Sequence, residues 1–193
     1  MARRKGLTFY QKKKKINKNL IVEIFSWIFW IAVSAFLAVV IVYCVGMQTN
    51  VIGSSMESSL YNGQKVFLNR LIYKVSSPKQ GDVIVFLPNG NEKSHYYIKR
   101  VVATPGDTLV IKDGYLYVNG SLVDEYFSDK IADAGLADNE IKLGSDEYFV
   151  LGDNVNSSED SRSANIGTIQ KDYIIGKAWF KMASQDSKMG LVE

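Results

Sequence analysis

A serine and a lysine in two short segments are the residues of this chain best suited to covalent chemistry. Ser55 lies in Gly53-Ser54-Ser55-Met56, and Lys99 lies in the largely apolar segment Ile98-Lys99-Arg100-Val101. A serine hydroxyl is a weak nucleophile at neutral pH until a neighbouring base takes its proton. A lysine amine becomes such a base only when burial lowers its pKa from ~10.4. The two segments therefore predict a Ser–Lys dyad and, with it, a serine hydrolase.

A long apolar segment precedes Ser55 in the chain. Residues 24–47 contain no charged side chain, and as a helix they would extend ~36 Å, enough to cross a ~30 Å hydrocarbon core with some tilt. Residues 1–18 carry eight of the 23 basic residues and no acidic one. The positive-inside rule then predicts a basic cytoplasmic tail at residues 1–23, a transmembrane helix at 24–47 and an outer domain at 48–193. Ser55 would accordingly stay near the membrane surface.

Two other interpretations of this N-terminal region are less consistent with the sequence. A basic tail can bind nucleic acid, but here it adjoins the apolar segment, and the other 15 basic residues are outnumbered by 19 of the 20 acidic residues after Glu23. A cleaved secretory signal has an apolar region of only about 7–15 residues and ends at a small-residue site. We therefore expect a permanent membrane anchor and no nucleic-acid partner.

The sequence offers no pattern typical of a metal or cofactor site. The only cysteine, Cys44, lies inside the apolar segment, so the outer domain has neither a disulfide nor a thiolate metal site. No His, Cys or carboxylate cluster has the spacing of metal ligands, and no glycine-rich phosphate loop is present. We expect no metal and no cofactor.

Short apolar segments separated by Gly, Asn and Asp predict a mostly β outer domain with antiparallel sheet or barrel-like architecture. The dipeptides Asp113-Gly114 and Asn119-Gly120 are typical of type I′ hairpin turns. Residues 124–146 are polar and predict a small insertion, either a short helix or a surface loop, and residues 184–193 predict a loosely ordered tail. The predicted strands are Val66–Asn69, Asp82–Phe86, Tyr96–Ala103, Thr108–Lys112, Tyr115–Val118, Tyr148–Leu151 and Ile174–Phe180.

Three segments, residues 51–60, 97–107 and 152–162, carry a resemblance to a known family. They read Val-Ile-Gly-Ser-Ser-Met-Glu-Ser-Ser-Leu, Tyr-Ile-Lys-Arg-Val-Val-Ala-Thr-Pro-Gly-Asp and Gly-Asp-Asn-Val-Asn-Ser-Ser-Glu-Asp-Ser-Arg. In this order behind an N-terminal anchor, they resemble bacterial type I signal peptidases. The compact insertion resembles the smaller, single-span members of Gram-positive bacteria.

The resemblance implies a function and a place in the cell. The protein would be a membrane-bound serine endopeptidase that removes signal peptides from secretory preproteins, through an acyl-enzyme, after a small-x-small motif. Its partners would be signal peptides and the lipid bilayer, and it would work near the secretion translocon. It would lie in the bacterial cytoplasmic membrane as a single-pass protein, with its N-terminus in the cytoplasm and its catalytic domain outside.

The same resemblance assigns roles to individual residues. Ser55 matches the nucleophile, and its backbone N–H would help form the oxyanion hole. Lys99 matches the general base, and Ser158 matches the hydroxyl that orients the lysine amine. Two charged pairs, Arg100 with Asp153 and Asp160 with Arg162, match groups that brace the site. The apolar walls that accept small substrate side chains would be Val51, Ile52, Met56, Leu60, Tyr97 and Ile98.

The sequence departs from the family pattern on both sides of the serine. Some relatives carry a serine two positions before the nucleophile, where this chain has Gly53, so the second oxyanion donor is open between a backbone N–H and Ser54. The usual x-Pro-Thr-Leu after the Ser-Met pair is here Glu57-Ser58-Ser59-Leu60. Serine in place of proline frees φ, which predicts a less rigid loop.

Several assignments have rivals in the sequence. Ser157 and Ser161 compete with Ser158, and the two charged pairs are equally typical of salt bridges that only close loops. His95, the sole histidine, would be the base of a Ser–His enzyme, but a lysine occupies the position at which eukaryotic-type relatives have histidine. Strand alternation predicts that Lys99 shares a face with Tyr97 while Arg100 points away.

Two further classes of function compete with the peptidase. A signal-peptidase-like protein that assembles surface structures needs no catalysis, but such a scaffold needs neither Ser55 nor Lys99. A self-cleaving Ser–Lys regulator related to repressors needs an N-terminal DNA-binding domain, for which the short basic tail leaves no room.

Overall fold

The computed structural model describes residues 18–192, with the backbone alone at residues 44 and 45. Most of the predicted basic tail and the side chain of Cys44 thus lie outside the described residues. The chain divides into two compact units, residues 1–40 and residues 41–193.

A single long helix, α1 (Lys18–Val45), forms the N-terminal part of the described chain. It begins at Lys18 rather than at residue 24, because lysine, asparagine and leucine are compatible with a helix and need not lie in the apolar segment. It ends before Gly46, and Met47, which we had placed in the transmembrane segment, belongs to the first strand. Among the described residues α1 alone is long and apolar enough to cross a membrane, which fits membrane anchoring.

The larger of two antiparallel sheets contains the strand of Lys99 and Arg100, and Ser55 and Ser158 lie in segments outside its strands. Its strand order is β1-β2-β11-β3-β4-β9-β10, and β12 pairs with β11 outside this path. A four-residue helix, α2 (Ile72–Val75), follows β2. The strands are β1 (Met47–Asn50), β2 (Lys65–Asn69), β3 (Val83–Phe86), β4 (Tyr97–Ala103), β9 (Glu147–Leu151), β10 (Ile169–Gln170), β11 (Ile174–Lys181) and β12 (Gly190–Leu191).

The smaller sheet is built from hairpins in the order β7-β6-β5-β8. The φ angles of Asp113 and Gly114 are 53° and 82°, and those of Asn119 and Gly120 are 50° and 78°, as type I′ turns require. The mostly β, antiparallel fold class is confirmed, and every predicted strand is present with bounds within one residue. The strands of this sheet are β5 (Thr108–Lys112), β6 (Tyr115–Val118), β7 (Ser121–Val123) and β8 (Ile141–Lys142).

Residues 124–146 are more than a surface insertion. They contain a 3₁₀ turn at Gly135–Asp138 and the strand β8. Ile131, Ala137 and Leu143 are buried in the same hydrophobic cluster as strands β5 and β6. The segment therefore completes the core beneath the smaller sheet, which its polar composition concealed.

The C-terminal segment is also more ordered than its composition indicates. Phe180 of β11 lies opposite Leu191 of β12, and the N–H of Val192 donates to the Trp179 carbonyl over 3.1 Å. The prediction of a loosely ordered tail is thus wrong for residues 190–192. Backbone pairing with β11 orders these residues, and the side-chain pattern of the segment does not predict this pairing.

Candidate active site

Ser55 lies in a loop between β1 and β2, residues 51–60, here termed the serine loop. Its apolar side chains Val51, Met56 and Leu60 are buried in one cluster with Ile98 of β4. The first residue of the loop is tied to the chain just before β2 by hydrogen bonds of 2.9 Å from the N–H of Val51 to the Gln64 carbonyl and 2.8 Å from the N–H of Gly63 to the Val51 carbonyl. This packing fixes the loop against the core and leaves Ser55 partly exposed.

Lys99 reaches the serine loop from the middle of β4. The lysine is 4% exposed, and its Nζ donates a hydrogen bond of 2.6 Å to Ser55 Oγ. Burial lowers the pKa of Lys99 to about 8, against the opposing effect of the nearby carboxylates of Asp160 and Glu159. With this pKa about a tenth of the amine is neutral at pH 7, and the neutral form can accept a proton from the hydroxyl that it contacts.

Neighbouring residues of β4 follow the alternation expected of a strand. Lys99 Nζ lies 5.8 Å from the centroid of the Tyr97 ring, so these two side chains share a face. The Arg100 guanidinium turns elsewhere and donates to both Asp153 carboxylate oxygens, each over 2.8 Å. The charged groups of Lys99 and Arg100 therefore lie on different faces of the strand.

The Arg100–Asp153 pair is buried and extends to the serine loop. Arg100 Nη2 donates to Ser59 Oγ over 3.1 Å, and Nη1 donates to the Gly81 carbonyl over 2.9 Å. The guanidinium also lies 5.0 Å from the centroid of the Tyr126 ring. One side chain thus links the serine loop, the turn before β3 and the segment after β9.

The Asp160–Arg162 pair braces that segment from within. Arg162 Nε donates to Asp160 Oδ1 over 2.8 Å, and Nη2 donates to Oδ2 over 2.9 Å. Asp160 Oδ2 also accepts the N–H of Gly152 over 3.1 Å. The pair, which is buried, therefore positions the backbone beside Ser55 rather than the reacting groups themselves.

Ser158 does not make the contact with Lys99 that the resemblance implies. Its hydroxyl oxygen is buried and has no hydrogen-bond partner among the described residues. The two rival serines are placed differently: Ser161 Oγ accepts the N–H of Val150 over 3.0 Å, and Ser157 is exposed on the cavity wall. Of the three, Ser158 alone has a buried hydroxyl that is free for another partner.

Gly152 allows the segment after β9 to approach the serine loop closely. A Cβ atom at this position would overlap both Ser158 Oγ and the Ser55 carbonyl oxygen. Only a residue without a side chain fits between them. The glycine thus keeps the two site segments in contact.

Asn154 is a site residue that sequence reasoning missed. Its backbone N–H donates to the Ser55 carbonyl over 3.1 Å, and its Nδ2 donates to the Ser54 carbonyl over 3.2 Å. It belongs to the third segment that resembles the family, to which the resemblance assigns no role at this position. Its polar side chain within that segment is the signal in the sequence that could have indicated it.

The backbone around Ser55 narrows the choice of oxyanion donors. The N–H of Gly53 donates to Asn62 Oδ1 over 3.0 Å, so it is already engaged. Gly53 also has φ of +83°, a conformation that favours glycine. The N–H groups of Ser54 and Ser55 have no partner within the described part of the chain.

A cavity of about 400 Å³ opens beside Ser55 and Lys99. Leu60, expected on its wall, is fully buried in the core instead, and it has no surface with which to touch a substrate. His95 lies on the cavity wall, yet the hydrogen bond to Ser55 Oγ comes from Lys99. Glu159 also lines the cavity and was not anticipated. Of the predicted apolar wall residues, the cavity is lined by Val51, Ile52, Met56, Tyr97 and Ile98.

Comparison with known proteins identifies the class to which this fold and site belong. The family described as "Signal peptidase, peptidase S26" matches residues 24–183. The protein is a serine protease. More specifically, the chain belongs to the signal peptidase family, peptidase S26, which confirms the resemblance seen in its three segments.

Individual relatives agree with this assignment. Signal peptidase I P of Bacillus subtilis subsp. natto is 33% identical over 175 residues, which cover 86% of this chain and 91% of the relative. Signal peptidase IB of Staphylococcus aureus (strain COL) is 33% identical over 177 residues, which cover 82% and 89%. A crystal structure of a signal peptidase I from Enterococcus faecalis V583 matches with a TM-score of 0.44 and 24% identity, over 53% of this chain and 97% of that one.

Proposed function

We propose that this protein cleaves signal peptides from secretory preproteins, with Ser55 as nucleophile and Lys99 as general base. The observation that carries the proposal is the 2.6 Å hydrogen bond between Lys99 Nζ and Ser55 Oγ, made by a lysine whose pKa burial lowers to about 8. A solvated lysine would stay protonated at neutral pH and could not accept the serine proton.

The reaction proceeds in two halves. Neutral Lys99 takes the Ser55 proton as Oγ bonds to the scissile carbonyl carbon, and the negative charge moves to the carbonyl oxygen. The free N–H groups of Ser54 and Ser55 face this oxyanion and stabilise it. The protonated lysine then gives its proton to the leaving amine, the C–N bond breaks, and an acyl-enzyme on Ser55 remains. Water, deprotonated by Lys99, then bonds to the acyl carbon, and Lys99 returns the proton to Ser55 Oγ as the bond between Oγ and the acyl carbon breaks.

Surrounding residues position the dyad. Asn154 holds the carbonyl of Ser54, whose peptide unit carries the Ser55 N–H, and it also holds the carbonyl of Ser55. Ser158, whose buried hydroxyl has no partner among the described residues, is the candidate for the hydroxyl that orients the lysine amine. The Arg100–Asp153 and Asp160–Arg162 pairs hold the two loops that carry these groups.

The cavity supports a preference for small residues, and the helix supports a membrane-bound substrate. Val51, Ile52, Tyr97 and Ile98 give a partly apolar wall in which short side chains before the scissile bond, as in a small-x-small motif, make contact. With the basic residues before α1 kept in the cytoplasm, the catalytic domain lies outside the cytoplasmic membrane. There it meets preproteins near the secretion translocon, while their signal peptides are still in the bilayer.

The test is cleavage of a purified preprotein with an Ala-x-Ala site by the detergent-solubilised full chain. Ser55→Ala and Lys99→Ala are each expected to lose on the order of 10³-fold or more in kcat, as when members of other serine-protease triads are removed. Lys112→Ala, which removes an exposed lysine from β5, is the matched control and should keep wild-type activity. Equal cleavage by wild type and both variants, or none by the folded wild type, would overturn the proposal. The second result would favour a non-catalytic assembly partner.

A further inference from the structure

Glu159 is the only carboxylate on the catalytic cavity wall among the described residues. It lies on the segment after β9, next to Ser158, and its side chain is exposed. Its nearest polar partners are neutral: Tyr97 Oη donates to Oε2 over 3.5 Å, and Asn165 Nδ2 donates to Oε1 over 3.4 Å. It forms no salt bridge with another described residue. A carboxylate that forms no salt bridge with a described residue thus lines the space that a substrate enters.

The charge of the cavity depends on the state of the lysine. In the state that accepts the serine proton Lys99 is neutral, and the cavity wall holds no other lysine and no arginine among the described residues. The cavity then carries one full negative charge, on Glu159. The field of this carboxylate reaches the reacting groups, since Glu159 is among the charges that raise the pKa of Lys99.

A charged substrate side chain near this wall changes cleavage in two ways, through its binding and through the charge state of Lys99, and both changes act in the same direction. A cationic side chain is attracted to Glu159 and disfavours the ammonium form of Lys99, which leaves more of the neutral base. An anionic side chain is repelled by Glu159 and favours the ammonium form, which cannot accept the serine proton. Both effects act only on residues close to the scissile bond.

We propose that Glu159 is a specificity-determining residue that makes the enzyme prefer substrates with lysine or arginine beside the scissile bond over substrates with aspartate or glutamate there. This inference rests on the proposed function and adds a charge preference to it. Because Glu159 is exposed and its charge is screened by solvent, the expected effect is roughly two- to fivefold for each change of charge. It should also shrink at high ionic strength.

The experiment uses the full chain in detergent and two sets of synthetic peptides with an Ala-x-Ala site. One set carries Lys, Gln or Glu at the middle position, and the other carries the same three residues directly after the scissile bond. The measured quantity is the ratio of kcat/KM for the Lys peptide to that for the Glu peptide. This ratio cancels any change in the dyad that is common to both peptides.

The expected ratio is above one for wild type in at least one set, close to one for Glu159→Gln, and below one for Glu159→Lys. Glu140→Gln removes an exposed carboxylate from the segment before β8 and should keep the wild-type ratio. Raising the salt concentration should bring the wild-type ratio toward one. Equal ratios for wild type and Glu159→Gln in both sets would overturn the inference.

The neutral Gln peptides separate this inference from the proposed function. Their cleavage by wild type and not by Ser55→Ala upholds the function, whatever the charge ratio is. If no peptide is cleaved, the proposed function fails, and the Lys-to-Glu ratio is measured as peptide binding by fluorescence anisotropy instead. Loss of that binding preference in Glu159→Gln would then support the charge role, and an unchanged preference would refute it.

Discussion

The backbone N–H of Asn154 and the carbonyl oxygen of Ser55 are joined by a hydrogen bond of 3.1 Å. The Asn154 side chain repeats the connection one residue earlier, at the Ser54 carbonyl. The segment after β9 therefore holds the two peptide units that begin with the Ser54 and Ser55 carbonyls, and the first of these units carries the Ser55 N–H, one of the two proposed oxyanion donors. The orientation of both units is set by a residue that does not itself react.

Asn154→Ala is expected to lower kcat about two- to tenfold with little change in KM, because it removes one hydrogen bond whose net worth is about 0.5–1.5 kcal/mol. Steady-state cleavage of an Ala-x-Ala preprotein measures both constants. The matched control is Asn156→Ala, since Asn156 also bonds through its side chain to backbone groups, but to Lys130 and Ala132. An equal fall in kcat for the two variants would assign the effect to general loosening of the domain.

Gly152→Ala is expected to reduce kcat at least about tenfold, since a methyl group there must push the Ser55 carbonyl or Ser158 aside, and ångström-scale displacement of reacting groups is costly. Gly190→Ala places the same methyl group in open space on β12. The two variants are compared in kcat and in melting temperature. Wild-type turnover by Gly152→Ala would contradict the close approach of the two loops.

The rate of cleavage is expected to rise with pH and to level off above about pH 8, because the neutral form of Lys99 is the base and its pKa is lowered to about 8. A plot of log(kcat/KM) against pH, which reports the pKa of the free enzyme, should have unit slope on the acid side. The measurement is a pH profile between pH 6 and about 10, with a check that the protein stays folded throughout. A flat profile across this range would rule out the lysine as the titrating base.

Lys99→Met is expected to abolish cleavage yet raise the free energy of unfolding at pH 7. The lysine pKa is about 8 in the folded state and ~10.4 in the unfolded state, so the unfolded chain binds the proton more tightly and the wild type is least stable below about pH 8. Stability then rises with pH between about 8 and 10. Urea unfolding at pH 7 should show a gain on the order of 2 kcal/mol for the variant, and a smaller difference near pH 10. A variant that is less stable at pH 7 would contradict the burial argument.

Ser58 occupies the family's proline position with φ of +79°, which the ring of proline forbids. The loss of proline predicts the same turn with more freedom. The φ angle shows instead a turn that proline could not adopt at this position. Ser58→Gly is expected to raise the melting temperature slightly, and Ser58→Pro to lower both the melting temperature and kcat. Thermal unfolding and preprotein cleavage of the two variants measure this. Higher stability for Ser58→Pro would contradict the observed turn.

Features that depend on local sequence were predictable, whereas those that depend on distant partners were not. The Asp113-Gly114 and Asn119-Gly120 turns and the apolar strands carry their own signals, and the Ser55 and Lys99 segments stand in a recognisable motif. The strand β12 exists only because β11 offers it an edge. Leu60 lies in the core because it belongs to one cluster with buried residues of β2, β3, β4 and β11, which no pattern within residues 51–60 reveals.

The site geometry divides in the same way. The residue pairs of Arg100 and Arg162 followed from the family pattern, but the contact of Arg100 with Ser59 links residues far apart in the chain. The engagement of the Gly53 N–H by Asn62 and the position of Glu159 on the cavity wall likewise arise from loop packing. The positive φ of Ser58 could not be predicted from the residue type, because serine seldom adopts this conformation.

Because of the contacts of Arg100, we expect activity to begin only when the fold is complete. Its guanidinium gathers Ser59, Gly81 and Asp153, and Asp153 is the last of these to be synthesised. An emerging chain holds both Ser55 and Lys99 before it holds Asp153, so we expect the proposed dyad to be held in place only after the segment after β9 has docked. We therefore expect the protease to be inactive during its own synthesis, and to lose activity after a cut between β4 and β9 that lets these segments separate.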